Sequence, residues 1–298
     1  GRWYKELDQE EPSKEEGFYK YEFEVPNRYE NQQVNIFFGG AMTDTEVKVN
    51  GQIAGAIHQG GFYEFSYDIS DLLKTEGKNL LEVHVKKHSE NASVNNAERK
   101  ADWWLFGGIY RPVWLEIKPK SNIDHIAIDA KMNGNMTLDF KGTNIPKNAF
   151  VEASISLVGG TNTTSSSQKI AINAANALLE FHWNEIQLWS PETPNLYSLK
   201  LQLKQGNKVL HEVNQRFGFR TIDFRKKDGI YVNGKKIIMK GINRHTIWPE
   251  SGRSTDKEIS IMDVNLLKDM NMNAVRGHYP PDDHFLEVCD SLGLFVLD

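Results

Sequence analysis

The sequence predicts a mainly β protein that ends in an alternating β/α segment. Over roughly the first 220 residues, short runs of alternating apolar and polar residues are separated by turns rich in Gly and Asn. After that, short apolar runs alternate with stretches of helical periodicity, in the order strand, helix, strand, helix, strand. This order predicts parallel strands joined by right-handed crossovers. We therefore expect a jelly-roll domain, an immunoglobulin-like β-sandwich, and then the truncated start of a (β/α)8 TIM barrel.

The first domain is predicted to span residues 1–120. Phe18–Val25 alternates aromatic and polar residues, as a strand with two different faces does. Asn50-Gly51 predicts a tight hairpin, because both central residues of a type I′ turn need positive φ. Residues 86–101 form a long polar stretch without strand pattern, and such a loop in a compact β domain is often functional.

An aromatic segment, residues 102–115, follows this polar stretch. Trp114 and Leu115 are predicted to lie in the core, on a strand with a bulge at the preceding glycine pair. Asp102 and Trp103, at the edge of the loop, are interpreted as contacts to a sugar. A carboxylate accepts hydrogen bonds from sugar hydroxyls, and an indole face stacks on the C–H face of a pyranose ring. A core strand is the simpler alternative for these two residues.

The second domain is predicted to span residues 121–222. Its clearest strands are Val151–Leu157 and Leu199–Leu203, and a length of about 100 residues suits an immunoglobulin-like sandwich. Residues 159–167 predict a solvent-exposed hairpin loop without chemistry.

The third segment, residues 223–298, predicts about three strands and two helices of the barrel. Its strands are assigned to Ile237–Met239, Asn273–Val275 and Leu294–Leu297. Three strands cannot close a barrel of eight, so the segment is interpreted as an incomplete catalytic barrel.

The two predicted helices of this segment carry signals at their ends. Thr255–Glu258 fits a capping box at the start of the first helix, whose apolar face is assigned to Ile259, Met262, Leu266 and Met270. Phe285, Val288, Cys289 and Leu292 form the apolar face of the second helix, which Gly293 ends. Cys289, the one cysteine of the chain, is thus predicted to be a buried structural thiol.

Four polar residues follow or end the predicted barrel strands: His245, Arg276, His278 and Asp298. Because barrel enzymes keep their chemistry at the carboxyl ends of their strands, these residues mark a candidate site. The simpler alternatives are histidines that donate to backbone carbonyls and, for Arg276, an ion pair at the barrel rim.

Composition narrows the class of protein. A net charge of −5 and the lack of a basic block argue against nucleic acid as a partner. No apolar run approaches the roughly 20 residues that span a bilayer. The sequence starts at Gly1 without an initiator Met, which is compatible with a removed export signal. A periplasmic or secreted location is therefore slightly favoured over a cytoplasmic one.

Several motifs together resemble glycoside hydrolase family 2, the family of β-galactosidases, β-glucuronidases and β-mannosidases. They cover nearly the whole chain in the order that the family has. They are Val49-Asn50-Gly51 with Gly60-Gly61-Phe62, Asp102-Trp103-Trp104 with Gly108-Ile109-Tyr110-Arg111, Leu188–Tyr197 with Gly218-Phe219-Arg220, Asn243-Arg244-His245, and Asn273–Arg276 with His278-Tyr279-Pro280.

The resemblance implies roles for the candidate residues. His245 and His278 are similar to histidines that contact the sugar beside the scissile bond, and Arg276 to an arginine that lies against the nucleophilic carboxylate. Asp102 resembles an aspartate that holds sugar hydroxyls and, in β-galactosidases, helps to bind sodium. The resemblance therefore implies a terminal β-linked sugar as partner, with sodium or magnesium as metals of the parent enzyme.

The family's chemistry is retaining hydrolysis by two carboxyl groups about 5–5.5 Å apart. The resemblance places both glutamates on later barrel strands, beyond Asp298, so residues 1–298 alone are expected to be inactive. β-Galactosidase is the first expectation for the parent enzyme, and β-glucuronidase and β-mannosidase are alternatives. A non-catalytic carbohydrate-binding protein is an alternative of another class, and a homo-oligomer stays open.

Overall fold

The computed structural model describes residues 15–298 except 26–28, 30–31, 75, 101–104, 161–166 and 173. These residues form two compact units. The first takes in the described residues up to Ile117 together with Thr246–Thr255, and the second takes in Lys118–His245 and Asp256–Asp298. The predicted mainly β fold is confirmed. The division into units leaves the predicted domain boundaries as predictions.

The first unit is a sandwich of β-sheets. Its sheets have the strand orders β1-β7-β4-β5, β6-β2-β9 and β3-β8. Val34, Ile36 and Phe38 of β2 pack in one core with Val47 of β4 and Val83 of β7, so two of these sheets face each other as in the predicted jelly roll. The strands are β1 (Glu16–Phe23), β2 (Gln32–Phe38), β3 (Ala41–Met42), β4 (Asp44–Val49), β5 (Gln52–Ile53), β6 (Phe65–Asp68), β7 (Asn79–Lys86), β8 (Gly108–Ile109) and β9 (Val113–Pro119).

One local prediction for the first unit is confirmed and another is wrong. Asn50 and Gly51 have φ of 52° and 80°, and they join Val49 to its partner Gln52 as a two-residue hairpin. Trp114, predicted to lie in the core, is 41% exposed and its ring stacks on another ring. Leu115 occupies the next position on β9 and contacts the core. Alternation along a strand lets only one of these two neighbours face inward.

The second unit begins with another sandwich. Sheets of the orders β10-β11-β14 and β13-β12-β15-β16 enclose a core that includes Leu138, Phe140, Val151, Leu199 and Leu201. This is the predicted immunoglobulin-like architecture. The strands are β10 (Asn122–Ala130), β11 (Asn135–Thr143), β12 (Ala149–Leu157), β13 (Ser167–Ile172), β14 (Asn176–His182), β15 (Tyr197–Gln205) and β16 (Lys208–Phe217).

The remainder of the second unit contains a small antiparallel sheet and a parallel β/α segment. β17 (Ile222–Arg225), β18 (Gly229–Val232) and β19 (Lys235–Ile237) form the antiparallel sheet. Parallel strands β20 (Gly241–Arg244), β21 (Ala274–Gly277) and β22 (Phe295–Leu297) alternate with helices α1 (Lys257–Asp269) and α2 (Asp283–Leu292). This arrangement confirms the predicted start of a (β/α)8 barrel.

The first barrel strand lies later in the chain than predicted. The apolar run Ile237–Met239 does not form it, because Ile237 ends β19 and Ile238 is 74% exposed. The Asn233-Gly234 turn pairs β18 with β19, so the residues directly after that turn belong to an antiparallel hairpin. The barrel strand is Gly241–Arg244.

Helix α1 starts and packs differently from the prediction. Its N-cap is Asp256, whose carboxylate accepts the Ile259 N–H at 2.9 Å, one residue after the predicted Thr255 cap. Its buried positions include Val264 and Leu267, whereas the predicted apolar face is largely exposed. On that face Met262, Leu266 and Met270 are 47%, 57% and 47% exposed. Periodicity identified an apolar face, but not the face that the sheet covers.

Helix α2 ends as predicted and packs against the sandwich. Gly293 has φ of 76°, and its amide donates to the Cys289 carbonyl at 2.9 Å. A Cβ built on Gly293 would lie 2.3 Å from the Pro191 carbonyl oxygen. Lys268 of α1 donates to the same Pro191 carbonyl at 3.1 Å. Both helices are therefore held at their C-terminal ends by the Leu188–Tyr197 segment.

The close contact at Gly293 predicts a position-specific cost. We expect Gly293→Ala to lower the free energy of unfolding by roughly 2–4 kcal/mol, since it combines left-handed backbone strain with a clash. Gly159→Ala is the matched control, because Gly159 has φ of 75° and nothing within 4 Å of its Cβ position. This control should cost about 1 kcal/mol. Urea unfolding of both variants tests the difference, and equal losses would contradict the contact.

Candidate functional site

The candidate site lies at the carboxyl edge of the parallel sheet. His245 follows the last residue of β20, His278 follows the last residue of β21, and Asp298 follows β22. Arg276 lies within β21, one residue before its end. Because the strands are parallel, these residues share the edge at which barrel enzymes place their catalytic groups.

Two histidine rings and a tyrosine ring cluster at this edge. The ring centroids of His245 and His278 are 4.9 Å apart, with an interplanar angle of 29°. The Tyr279 ring lies 5.8 Å from His245 and 6.3 Å from His278. Tyr279 is only 7% exposed, whereas His245 is exposed and His278 is partly buried. Tyr279 was not among the predicted site residues, although its place directly after His278 at a strand end was a usable signal.

Arg276 lies on the sheet face opposite the helices. Val275, its neighbour on β21, packs in the core with the helix residues Val264 and Val288, so alternation turns Arg276 the other way. In register Arg276 pairs with Asn243 of β20, and both are exposed. The sheet thus presents a guanidinium and an amide side by side on the face that would line a barrel interior.

Arg244 has a structural place on the helix side of the sheet. Its Nη2 and Nε donate to the Asp263 carboxylate of α1 at 2.7 and 2.8 Å. Its guanidinium also lies 4.2 Å from the centroid of the Phe285 ring on α2. These contacts fix the end of β20 to both helices, and they thereby position His245, the next residue.

Asp102 and Trp103 lie outside the described residues, so their sugar contacts and the sodium ligand stay predictions. The chain on either side of them is anchored within the first unit. The predicted polar loop contains a helical turn, Ala92–Val94, that continues as a π-helix over Asn95–Arg99. Arg99 Nη1 donates to the Phe106 carbonyl at 2.8 Å, and burial lowers the pKa of Arg99 to about 10.

The preceding residue of the π-helix is anchored as well. Glu98 is 8% exposed, and its carboxylate accepts the Gly61 amide at 2.7 Å. The 2.7 Å bond to a buried carboxylate is of the charge-assisted kind. The polar stretch 86–101 therefore contains buried charged side chains as well as solvent-exposed ones.

Cys289 is structural, as predicted. It is 1% exposed on α2, and burial raises the pKa of its thiol to about 12. Within the part of the chain that the structure describes, no group of three or more His, Cys, Asp and Glu side chains could hold a metal ion. No helix among those residues is long and apolar enough to cross a membrane.

The raised pKa of Cys289 predicts an inert thiol. Thiolate is the reactive form, and it is scarce at pH 8 when the pKa is about 12. We expect iodoacetamide to leave Cys289 unmodified in the native chain at pH 8 and to alkylate it after unfolding in urea. Mass spectrometry gives the labelled fraction. Native labelling at the unfolded rate would contradict the burial.

Three family models match successive parts of the chain. The sugar binding domain of glycosyl hydrolases family 2 matches residues 7–119, a second model described as glycosyl hydrolases family 2 matches residues 119–220, and the TIM barrel domain of that family matches residues 223–298.

Relatives match over the same length. A putative beta-glucuronidase of Formosa agariphila is 34% identical over 94% of this chain and 34% of its own length. A beta-galactosidase of Clostridium acetobutylicum is 34% identical over 95% of this chain and 31% of its own length. The chain thus spans about a third of the length of these curated relatives.

The fold is also shared with a solved structure. The crystal structure of a beta-glycosidase from Bacteroides vulgatus aligns with a TM-score of 0.81 at 28% identity. The alignment covers 95% of this chain and 36% of the other.

Proposed function

Because this chain belongs to glycosyl hydrolases family 2, we propose that it is the N-terminal part of a retaining exo-glycosidase that hydrolyses terminal β-glycosidic bonds. The observation that carries the proposal is the pairing of His245 and His278 near Arg276 at the carboxyl edge of a parallel sheet. The family comparison supports glycosidase chemistry, and the geometry supports a sugar subsite at this edge.

In this proposal the two histidines bind the sugar. Each imidazole can donate one hydrogen bond and accept another, which suits adjacent sugar hydroxyls. Tyr279 packs beside both rings and restricts their orientation. Arg276 presents a planar fork of N–H donors that matches a carboxylate and keeps it ionised. Its role is therefore to orient the nucleophilic carboxylate.

The catalytic carboxylates themselves are proposed to come from outside residues 1–298. Retention requires a nucleophile and an acid/base group about 5–5.5 Å apart. The resemblance gives neither role to any residue of this chain. Without both groups a glycosyl-enzyme intermediate can neither form nor be hydrolysed. We therefore propose that residues 1–298 bind sugar without cleaving it.

Two substrate classes are supported. We propose β-galactosides as the first, in line with the sequence resemblance and with the relative named beta-galactosidase. β-Glucuronides are the second candidate, because a relative of equal identity is named putative beta-glucuronidase. No residue described at the sheet edge separates a C6 hydroxymethyl group from a C6 carboxylate.

Assays of the product of the uninterrupted gene test the function. We expect it to hydrolyse nitrophenyl β-galactoside or nitrophenyl β-glucuronide with retained anomeric configuration, as nuclear magnetic resonance (NMR) of the first product shows. Residues 1–298 alone should release no nitrophenol above buffer. Inversion, or failure on every β-glycoside tested, would overturn the proposed chemistry.

His278→Ala tests the sugar subsite in the same full-length enzyme. A lost hydrogen bond in the transition state should lower kcat/KM by about 10- to 100-fold. His125→Ala is the matched control, because His125 lies exposed on β10, away from the sheet edge. If both variants keep full activity while their melting temperatures are unchanged, the histidine pair is not part of the subsite.

A further inference from the structure

A second concave site lies elsewhere in the second unit. An open cavity of about 400 Å³ is lined by residues of β10 and β16 of the sandwich, by Trp189 and Arg220, and by Asp290 of α2. Asp290 lies in the last turn of α2, which leads into the start of β22. The cavity is therefore at the amino end of the parallel strands, opposite the edge that carries His245 and His278. We call it the junction pocket.

Asp290 places a carboxyl group in the junction pocket at an energetic cost. Burial raises its pKa, and the positive charges of Arg220 and Arg216 only partly oppose this effect. Its position in the last helical turn is also unfavourable for an anion, because the negative end of the helix dipole is there, and that turn has no basic residue. Apolar packing alone gives no reason for a carboxyl group at this position.

Three side chains that line the pocket make no hydrogen bond among the described residues, although Arg220 also acts electrostatically on Asp290. The hydrogen bonds among the described residues include none to the Asp290 carboxyl, the Arg220 guanidinium or the Gln215 side chain, all of which line the pocket. The Arg220 guanidinium stacks 4.7 Å over the buried Trp189 ring, which holds its plane in place. The pocket thus offers a ligand the Asp290 carboxyl as a hydrogen-bond acceptor and the Arg220 guanidinium as a fixed planar donor. The Gln215 amide can both donate and accept.

The size and charge of the pocket limit its ligand. A volume of about 400 Å³ is at the lower end for small-molecule sites. The charges that line the pocket are balanced, because Lys131 pairs with Asp129 at 2.8 Å and Arg216 with Glu287 at 3.8 Å, which leaves Arg220 opposite Asp290. The pocket therefore offers an anion no net attraction, and its polar groups disfavour a lipid. Ile128 and Leu196 add apolar surface beside those groups. A neutral ring with both hydroxyls and C–H faces matches this combination.

We propose that the junction pocket is a second sugar site, which binds a neutral monosaccharide unit through Asp290, Arg220 and Gln215. The carboxylate accepts hydrogen bonds from two sugar hydroxyls, and the guanidinium and the amide hold neighbouring hydroxyls. This site goes beyond the proposed catalytic function, since it lies at the other edge of the sheet and needs no catalytic group.

The test is a titration of the 298-residue chain with galactose and glucose, followed by saturation-transfer NMR and calorimetry. We expect millimolar binding of at least one neutral sugar and at least tenfold weaker binding of glucuronate and inorganic phosphate. Asp290→Asn should weaken sugar binding about tenfold or more, because it removes a charged acceptor. Its melting temperature at pH 7 should be unchanged or higher, which excludes unfolding as the cause.

Two control variants test whether the sugar binds in the junction pocket itself. Asp223→Asn removes an exposed carboxylate that pairs with Arg225 outside the pocket, and it should leave binding unchanged. His278→Ala removes a residue of the proposed subsite at the opposite edge, so sugar binding that remains in this variant reports on the pocket, and adding Asp290→Asn should weaken it about tenfold.

Three results would overturn the pocket as a sugar site. The first is the absence of a sugar signal in every titration, which indicates a cavity filled by water only. The second is an equal loss of sugar binding in Asp290→Asn and Asp223→Asn. The third is a loss of sugar binding in His278→Ala without one in Asp290→Asn. The last result would assign the sugar to the edge and so support the proposed function.

Discussion

The second unit depends on one buried aromatic residue. Trp189 is 1% exposed, so its indole N–H needs a partner inside the protein, and it donates to the Asp290 carbonyl at 2.8 Å. That carbonyl belongs to the last turn of α2, where carbonyls lack helical partners. A single bond therefore satisfies a buried side chain of the Leu188–Tyr197 segment and a helix end of the barrel segment. Phe295 of β22 meets the same ring edge-on at 5.4 Å.

The geometry of the candidate site follows from this anchor through the helices. Trp189 fixes the end of α2 and the start of β22, and α2 presents Phe285 to the Arg244 guanidinium. Arg244 in turn pairs with Asp263 of α1, which ties β20 to the same helix layer. Two sets of contacts thus determine where the histidine rings lie. One is made by Arg244 on the helix side of the sheet, and the other by Trp189 at the amino end of the strands.

Features that depend on neighbouring residues were predictable from the sequence, and features that depend on distant parts of the chain were not. Gly293 needs positive φ, which is visible without knowledge of the fold, and parallel connectivity alone brings His245 and His278 to one edge. The sugar-binding role proposed for these histidines comes from the family resemblance, because no spacing rule supplies it. The alternating pattern of β9 does not show which of its two faces points inward, so Trp114 was wrongly assigned to the core. Packing against the sheet decides which face of α1 is buried, and periodicity does not show it. Tyr279 was missed although it directly follows His278, because its contact with His245 arises only from the pairing of β20 with β21.

The two edges of the parallel sheet differ in polarity and burial. At the carboxyl edge, Asn243 and Arg276 are exposed within residues 1–298, so their polar groups carry no desolvation cost in this part of the protein. At the amino edge, Trp189 and Phe295 bury apolar surface, which gives stability. A carboxyl group at the amino edge opposes that purpose, because burial raises its pKa and the helix end disfavours its charge. The positive charges of Arg220 and Arg216 only partly offset this cost, and this balance is why we connect Asp290 with a ligand.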